Sequence, residues 1–273
     1  MSHRVACAPP WTSARPRPPG TEPVAVHAID CQHRTHVGLV RPHNEDYLAC
    51  FPDLGVMVLG DGMGGHRAGE IAARVAVEAA AEALLPAQEE DAADDLESLL
   101  RVGRAAESAN RAVFAAVERD PALAGMGTTL VAAMFREGRI YYSHVGDSRL
   151  YRLRDGTLRC LTRDHSLMQE VLDTGLFDTR DEVQAAGIGD NILTRCIGLD
   201  PEVEVDVGDA ELRAGDLYLA CSDGLCGKVS DDTLRQVMTG APDLPEMADA
   251  LLEVALQAGG RDNISLILAR PRL

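Results

Sequence analysis

The chain has 273 residues, 46% of them hydrophobic, and a formal net charge of −17 from 43 acidic against 26 basic side chains. That length buries a sizeable core in one large domain, and that charge argues against nucleic acid as a main partner and against docking on anionic membranes, while suiting a surface that gathers divalent cations. No run approaches the ~18 uncharged apolar residues of a membrane-spanning helix, and seven cysteines without CxxC spacing fit a reducing cytoplasm better than a complete disulfide framework.

Residues 1–24 hold six of the fourteen prolines and three arginines, which reads as a disordered leader or a start codon assigned too early. One domain is expected over 25–273, and a monomer. Strands are predicted at 24–29, 35–40 and 55–60. The alanine-rich stretch 69–85 carries Glu70, Arg74, Glu78 and Glu82 at four-residue spacing, which predicts a helix that Pro86 stops. An acidic connector at 89–97 leads into a second helix over 96–119. Strands at 128–135, 139–144 and 149–153 form an antiparallel meander, broken by Arg136-Glu-Gly138 and Gly146-Asp-Ser148 and ending in a turn at 154–156. Residues 165–198 interrupt the strand pattern with a short helix at 166–174 and a Gly- and Asp-rich stretch, as an inserted, mobile flap would. Strands resume at 202–207, 216–221 and 263–269, with helices at 231–238 and 245–257. The order suits an α+β sandwich.

Four acidic clusters fall where predicted strands end: Asn44-Glu-Asp46, Asp61-Gly62, Ser222-Asp-Gly224 and Arg261-Asp-Asn263. One Asp-Gly is a common turn. Four such clusters point to hard cations such as Mg²⁺ and Mn²⁺, because these need oxygen ligands and carboxylates at strand ends can converge while the sheet holds them rigid. Ser222 stands in no Gly-x-Ser-x-Gly elbow, so the metal cluster explains its segment better than a nucleophile does. Cys221 and Cys226 read as core thiols.

The pattern resembles the metal-dependent protein phosphatases of the protein phosphatase 2C type, in particular their bacterial members. The resemblance runs from about Val37 to Ala269 and rests on seven ordered motifs: Gly38-Leu-Val-Arg-Pro-His-Asn-Glu-Asp46, Asp61-Gly-Met-Gly-Gly-His66, Gly125-Met-Gly-Thr-Thr129, His144-Val-Gly-Asp-Ser-Arg149, Leu161-Thr-Arg-Asp-His-Ser166, Cys221-Ser-Asp-Gly-Leu225 and Gly260-Arg-Asp-Asn263. It implies a four-layer α-β-β-α sandwich of two antiparallel sheets with flanking helices and a metal centre in the cleft between sheet edges. It further implies two Mn²⁺ or Mg²⁺ ions, with Asp61 bridging them and the Gly62 carbonyl, Asp223 and Asp262 as further ligands. Glu45 and Asp46 would hold the second ion directly or through water, and Asp147, with Asn191 from the flap, a third. Arg41 matches an arginine that grips phosphate oxygens, so Asp61, Asp46 and Arg41 are the expected catalytic residues. A hydroxide bridging the ions would attack phosphorus in line with the leaving serine or threonine oxygen, without a phosphoenzyme.

The motif with glycines at 125 and 127 is expected to be structural, letting a strand begin close to the metals. Met63 stands where eukaryotic members have a histidine that protonates the leaving group, as it does in the bacterial pattern. The general acid is thereby left open among a metal-bound water, His66 and His43; His144 and His165 are expected to be structural. The implied substrates are phosphorylated proteins, foremost a partner Ser/Thr kinase and that kinase's targets. Two other readings stand beside this one: a catalytically silent binding module of the same fold, and a phosphatase of an anti-anti-sigma-type regulator.

Overall fold

Period-two alternation sorts each strand's side chains between two faces, and in this chain both faces are apolar, so every central strand must be covered on both sides. The computed structural model describes residues 28–64, 68–85, 94–189 and 192–272. The leader, all but the end of the first predicted strand and most of the acidic connector lie outside these residues.

One sheet joins β1 (Ile29–His36), β7 (Arg149–Arg154), β8 (Thr157–Cys160), β10 (Leu217–Cys221) and β11 (Ile264–Pro271) in the order β1-β11-β10-β7-β8. The other joins β2 (Asp46–Phe51), β3 (Val56–Met63), β5 (Leu130–Arg136), β6 (Arg139–Val145) and β9 (Asp206–Glu211) in that order, with the short β4 (Gly127–Thr128) paired to β3. All these pairings are antiparallel. Between the sheets, Met57, Leu59, Val131, Phe135, Tyr218, Ala220 and Ile267 interdigitate, and Phe135 meets Tyr218 edge to face with ring centroids 5.3 Å apart.

The alternate residues of the same strands point outward. Val56 and Val58 pack under α1 (Ala68–Leu84) and α2 (Asp95–Arg119). Leu217, Leu219, Leu266 and Leu268 pack under α6 (Asp231–Gly240) and α7 (Leu244–Gln257). Helix α1 buries Gly69, Ala72, Ala73, Ala76, Val77, Ala80 and Ala81, a stripe at helical spacing whose small side chains let the helix close on the sheet. Asp94 caps α2 by accepting from the Glu97 amide at 2.8 Å. The result is the expected four-layer α-β-β-α sandwich.

Several boundaries differ from expectation. The strand at 35–40 ends at His36, because Gly38 turns the chain at φ +80° and lies so close to the 260–262 segment that a Cβ there would stand 2.2 Å from the Asp262 carbonyl oxygen. The strand at 202–207 instead runs Asp206–Glu211, since its register is set by β6, from Arg139 opposite Glu211 to His144 opposite Asp206. Asp61 lies inside β3, not after a strand end. Strands β2 and β8 and two short helices, α4 (Arg180–Ala185) and α5 (Asp223–Cys226), were not expected, whereas the short helix at 166–174 is found as α3 (Leu167–Asp173). Cys31 on β1 and Cys50 on β2 lie next to one another between the two sheets, at positions that only the stacking of the sheets brings together. Cys160, Cys196, Cys221 and Cys226 are free, the last two buried.

Candidate metal centre

The β2–β3 register places Asp46 directly opposite Asp61, so two carboxylates enter the site from neighbouring strands. Asp223 opens α5 straight after β10, and Asp262 stands just before β11 in the other sheet. Asp147 occupies the β6–β7 turn, and Glu45 the residue before β2. These groups repel one another at close range. Burial first, then the charges of Asp46, Asp223, Asp147 and Asp262, holds the Asp61 carboxyl well above the usual carboxylate range. Burial, with Asp223 nearby, pushes Asp46 up to about 7, and the same two causes push Asp147 up to about 7. Asp223 and Glu45 are raised as well, each by burial and by Asp262.

Polar side chains behind the carboxylates fix their backbone. Asn263 donates to the carbonyls of Val37 (3.0 Å) and His43 (2.9 Å) and accepts from the Glu45 amide (2.8 Å), tying the whole 37–45 loop to the start of β11. Ser222 Oγ donates to Asp46 Oδ2 at 2.9 Å and accepts from the Ser265 amide at 3.0 Å. Thr129 Oγ1 accepts from the Asp61 amide (3.0 Å) while Thr128 Oγ1 donates to the Asp61 carbonyl (2.9 Å). Thr129 also meets Ser148 Oγ at 2.7 Å, linking Asp61 to the Asp147 turn. Gly62 is required by crowding, since a Cβ would lie 2.2 Å from the Gly69 carbonyl oxygen and 2.5 Å from that of Glu45. Asn263→Ala is expected to lower stability by about 1–3 kcal/mol, because it leaves two part-buried carbonyls and one amide without this partner; urea unfolding at fixed Mn²⁺ checks it.

The donor set fits a hard divalent cation. It is all oxygen, it carries several carboxyls at one end of the sandwich, and Asp46 Oδ1 is buried with no hydrogen-bond partner among the described residues. The structure thus brings together Asp46, Asp61, Asp147, Asp223 and Asp262, with Glu45 and Gly62 beside them. Arg41 lies at the rim and donates to Asp262 Oδ2 at 2.7 Å. His66 and Asn191 lie outside the described residues. His43 is exposed, and its carbonyl accepts from Asn263. Sequence reasoning assigned no role to Asn263, and none at the metals to Ser222, Thr128 or Thr129; the available signal was a polar residue beside each acidic one where a strand enters the core.

A second cluster, His144, His165 and Asp206, places three possible ligand atoms within 4.8 Å of one another, a spacing that no three described carboxyl groups of the centre reach. Its hydrogen bonds oppose metal binding. His165 Nδ1 accepts from the Gly146 amide at 3.2 Å, which puts the proton of the neutral ring on Nε2, the atom facing Asp206 Oδ2 at 3.4 Å. Arg195 donates to Asp206 Oδ1 at 2.9 Å and already supplies a cation there. Burial lowers the pKa of both histidines.

The fold and the site define an α-β-β-α sandwich with several carboxyl groups gathered at one end. The family model described as Protein phosphatase 2C matches residues 40–265. The serine/threonine protein phosphatase PstP of Mycobacterium tuberculosis is 39% identical over 86% of the chain, which spans 44% of that relative's length. The serine/threonine phosphatase Stp of Listeria welshimeri is 36% identical over 90% of the chain and 97% of its own length. Among solved structures, the catalytic domain of PstP in complex with two manganese ions superposes with a TM-score of 0.77 at 37% identity, covering 89% of this chain and 98% of that one. The chain belongs to the protein phosphatase 2C family.

Proposed function

We propose that this chain is a metal-dependent serine/threonine protein phosphatase that removes phosphate from phosphoserine and phosphothreonine on proteins. The observation that carries the reading is the convergence of Asp46, Asp61, Asp147, Asp223 and Asp262 at one end of the sandwich, each of the first four with its pKa raised by burial and by its acidic neighbours. Two Mn²⁺ or Mg²⁺ ions would be held by Asp61, Asp223, Asp262, the Gly62 carbonyl, Asp46 and Glu45, and a third by Asp147. When bound, such ions neutralise phosphate charge and lower the pKa of water.

The chain's own residues do the rest. Asp46 and Asp61 face each other in register on rigid strands, and the hydroxyls of Ser222, Thr128 and Thr129 hold them in place. Arg41, half exposed at the rim, exchanges its bond to Asp262 for the phosphate oxygens of an incoming ester. The full carboxylate set opposes the silent-module reading. A partner Ser/Thr kinase with its targets remains the proposed source of substrate, and a monomer the proposed state. No helix among the described residues is long and apolar enough to cross a membrane. A cytoplasmic setting belongs to this reading on the acidic composition and the four free described thiols.

The test is hydrolysis of a phosphothreonine peptide by folded protein with and without Mn²⁺. Release of phosphate only with the metal supports the phosphatase; no release in either Mn²⁺ or Mg²⁺ favours the binding module.

A further inference from the structure

The flap meets the body of the sandwich in two different ways. Its stem closes as a short ladder, with Ser166 bridged to Leu193, the Leu167 amide donating to the Ile192 carbonyl at 2.8 Å and the Thr194 amide to the His165 carbonyl at 3.0 Å. Further out, α3 and α4 lie against one another, and Met168 of α3 and Val183 of α4 are buried. Ion pairs connect these helices to the body, Arg163 with Asp173 of α3 and Arg180 of α4 with Asp164.

The second pair stands beside the metal centre. Arg180 is the first residue of α4, set in place by the capping box between Thr179 and Glu182. Its Nη2 donates to Asp164 Oδ2 at 2.7 Å. The same carboxylate accepts the fork of Arg149, at 2.7 Å and 2.6 Å. Arg149 pairs across the sheet with Cys221, two residues from Asp223, and lies two residues beyond Asp147. Asp164 is 7% exposed and Arg149 14%, so the hub is shielded from solvent, whereas Arg180 at 38% can leave it. Arg180, Ser166 and Lys228 also line a small cavity whose other wall includes Asp147 and Asp223. The position of α4 thus sets the shape of this cavity beside Asp147 and Asp223.

We propose that Arg180 is a positioning residue, tying the flap to Asp164 so that α4 forms a fixed wall for a protein substrate beside Asp147 and Asp223. The inference rests on the phosphatase reading. A small ester enters the centre without needing that wall, whereas a phosphorylated protein segment must lie along it. Release of the tie therefore acts on binding of large substrates and leaves the carboxylate cluster intact.

The experiment compares wild type, Arg180→Ala and Arg180→Lys in Mn²⁺ with p-nitrophenyl phosphate and with a phosphothreonine protein substrate, alongside hydrogen exchange of the flap. For Arg180→Ala we expect KM for the protein substrate to rise about tenfold, the loss of one charge-assisted pair, with kcat/KM for the small ester within about twofold of wild type. Exchange should quicken in 167–187 and stay unchanged in β3 and β10, and lysine should restore part of both effects. Equal changes for the two substrates, or unchanged flap exchange, overturn the proposal. Wild type inactive on both substrates refutes the phosphatase reading and with it the substrate role, while the exchange data still decide whether Arg180 holds the flap.

Discussion

Asp223→Ala is expected to lower kcat/KM on a phosphothreonine peptide in saturating Mn²⁺ by at least about 10³-fold, since a metal ligand contributes several kcal/mol of charge stabilisation in the transition state. The carboxylate opens α5 immediately after β10, where Gly224 lets the helix start against β11: a Cβ at that glycine would stand 1.9 Å from the Asn263 carbonyl oxygen. Asp223 is thus placed by backbone packing against β11, and its removal is expected to leave the fold in place. Without metal the variant should be at least as stable as wild type, because a buried carboxyl raised by burial and by Asp262 has been deleted. Initial rates with thermal melts in chelator decide the matter. Near wild-type turnover at saturating Mn²⁺ would show that Asp223 holds no essential ion, whereas lost activity together with lost folding would place its role in the structure.

The second large effect concerns pH and metal together. Asp46 and Asp147 have an ordinary carboxylate pKa of 3.8 when unfolded and about 7 in the fold, raised by burial and by Asp223. A raised folded pKa means that the native state binds protons more tightly than the unfolded chain, so the stability these two groups contribute is complete below 3.8 and is lost as pH rises through about 7. Metal-free protein should therefore lose Tm between pH 5 and pH 8 on their account. Cations replace the protons, so Mn²⁺ should raise Tm by several degrees at pH 8 and much less at pH 5. Melts in chelator and in Mn²⁺ at both pH values measure this. An equal metal-induced shift at pH 5 and pH 8 would contradict it, as would identical slopes for wild type and Asp46→Asn in chelator.

Strand and helix periodicity made most of the architecture legible. Leu217 to Cys221 and Ile264 to Ala269 are apolar on both faces, which marks central strands covered twice, and the alanine stripe of α1 marks a helix pressed onto a sheet. The elements that went unread lack such signals. Strand β8 is a polar edge with one neighbour, β7, and α5 is a single turn whose start depends on contact with β11. Strand β9 could be placed only through its register with β6.

The acidic residues of the centre, and their suitability for oxygen-seeking cations, were determined by the sequence alone, because carboxylate chemistry is local to the side chain. Which carboxylates meet was decided by tertiary structure: Asp46 faces Asp61 through the β2–β3 register, while Asp223 and Asp262 arrive from the opposite sheet. The roles of Asn263, Ser222 and Thr129 were decided there too. A buried amide or hydroxyl takes its function from the partners that chain packing delivers across 218, 176 and 68 residues of sequence. The approach of Cys31 to Cys50 and the tie between Arg180 and Asp164 have the same origin. No spacing rule connects positions that touch only after two sheets stack and an inserted flap folds back upon them.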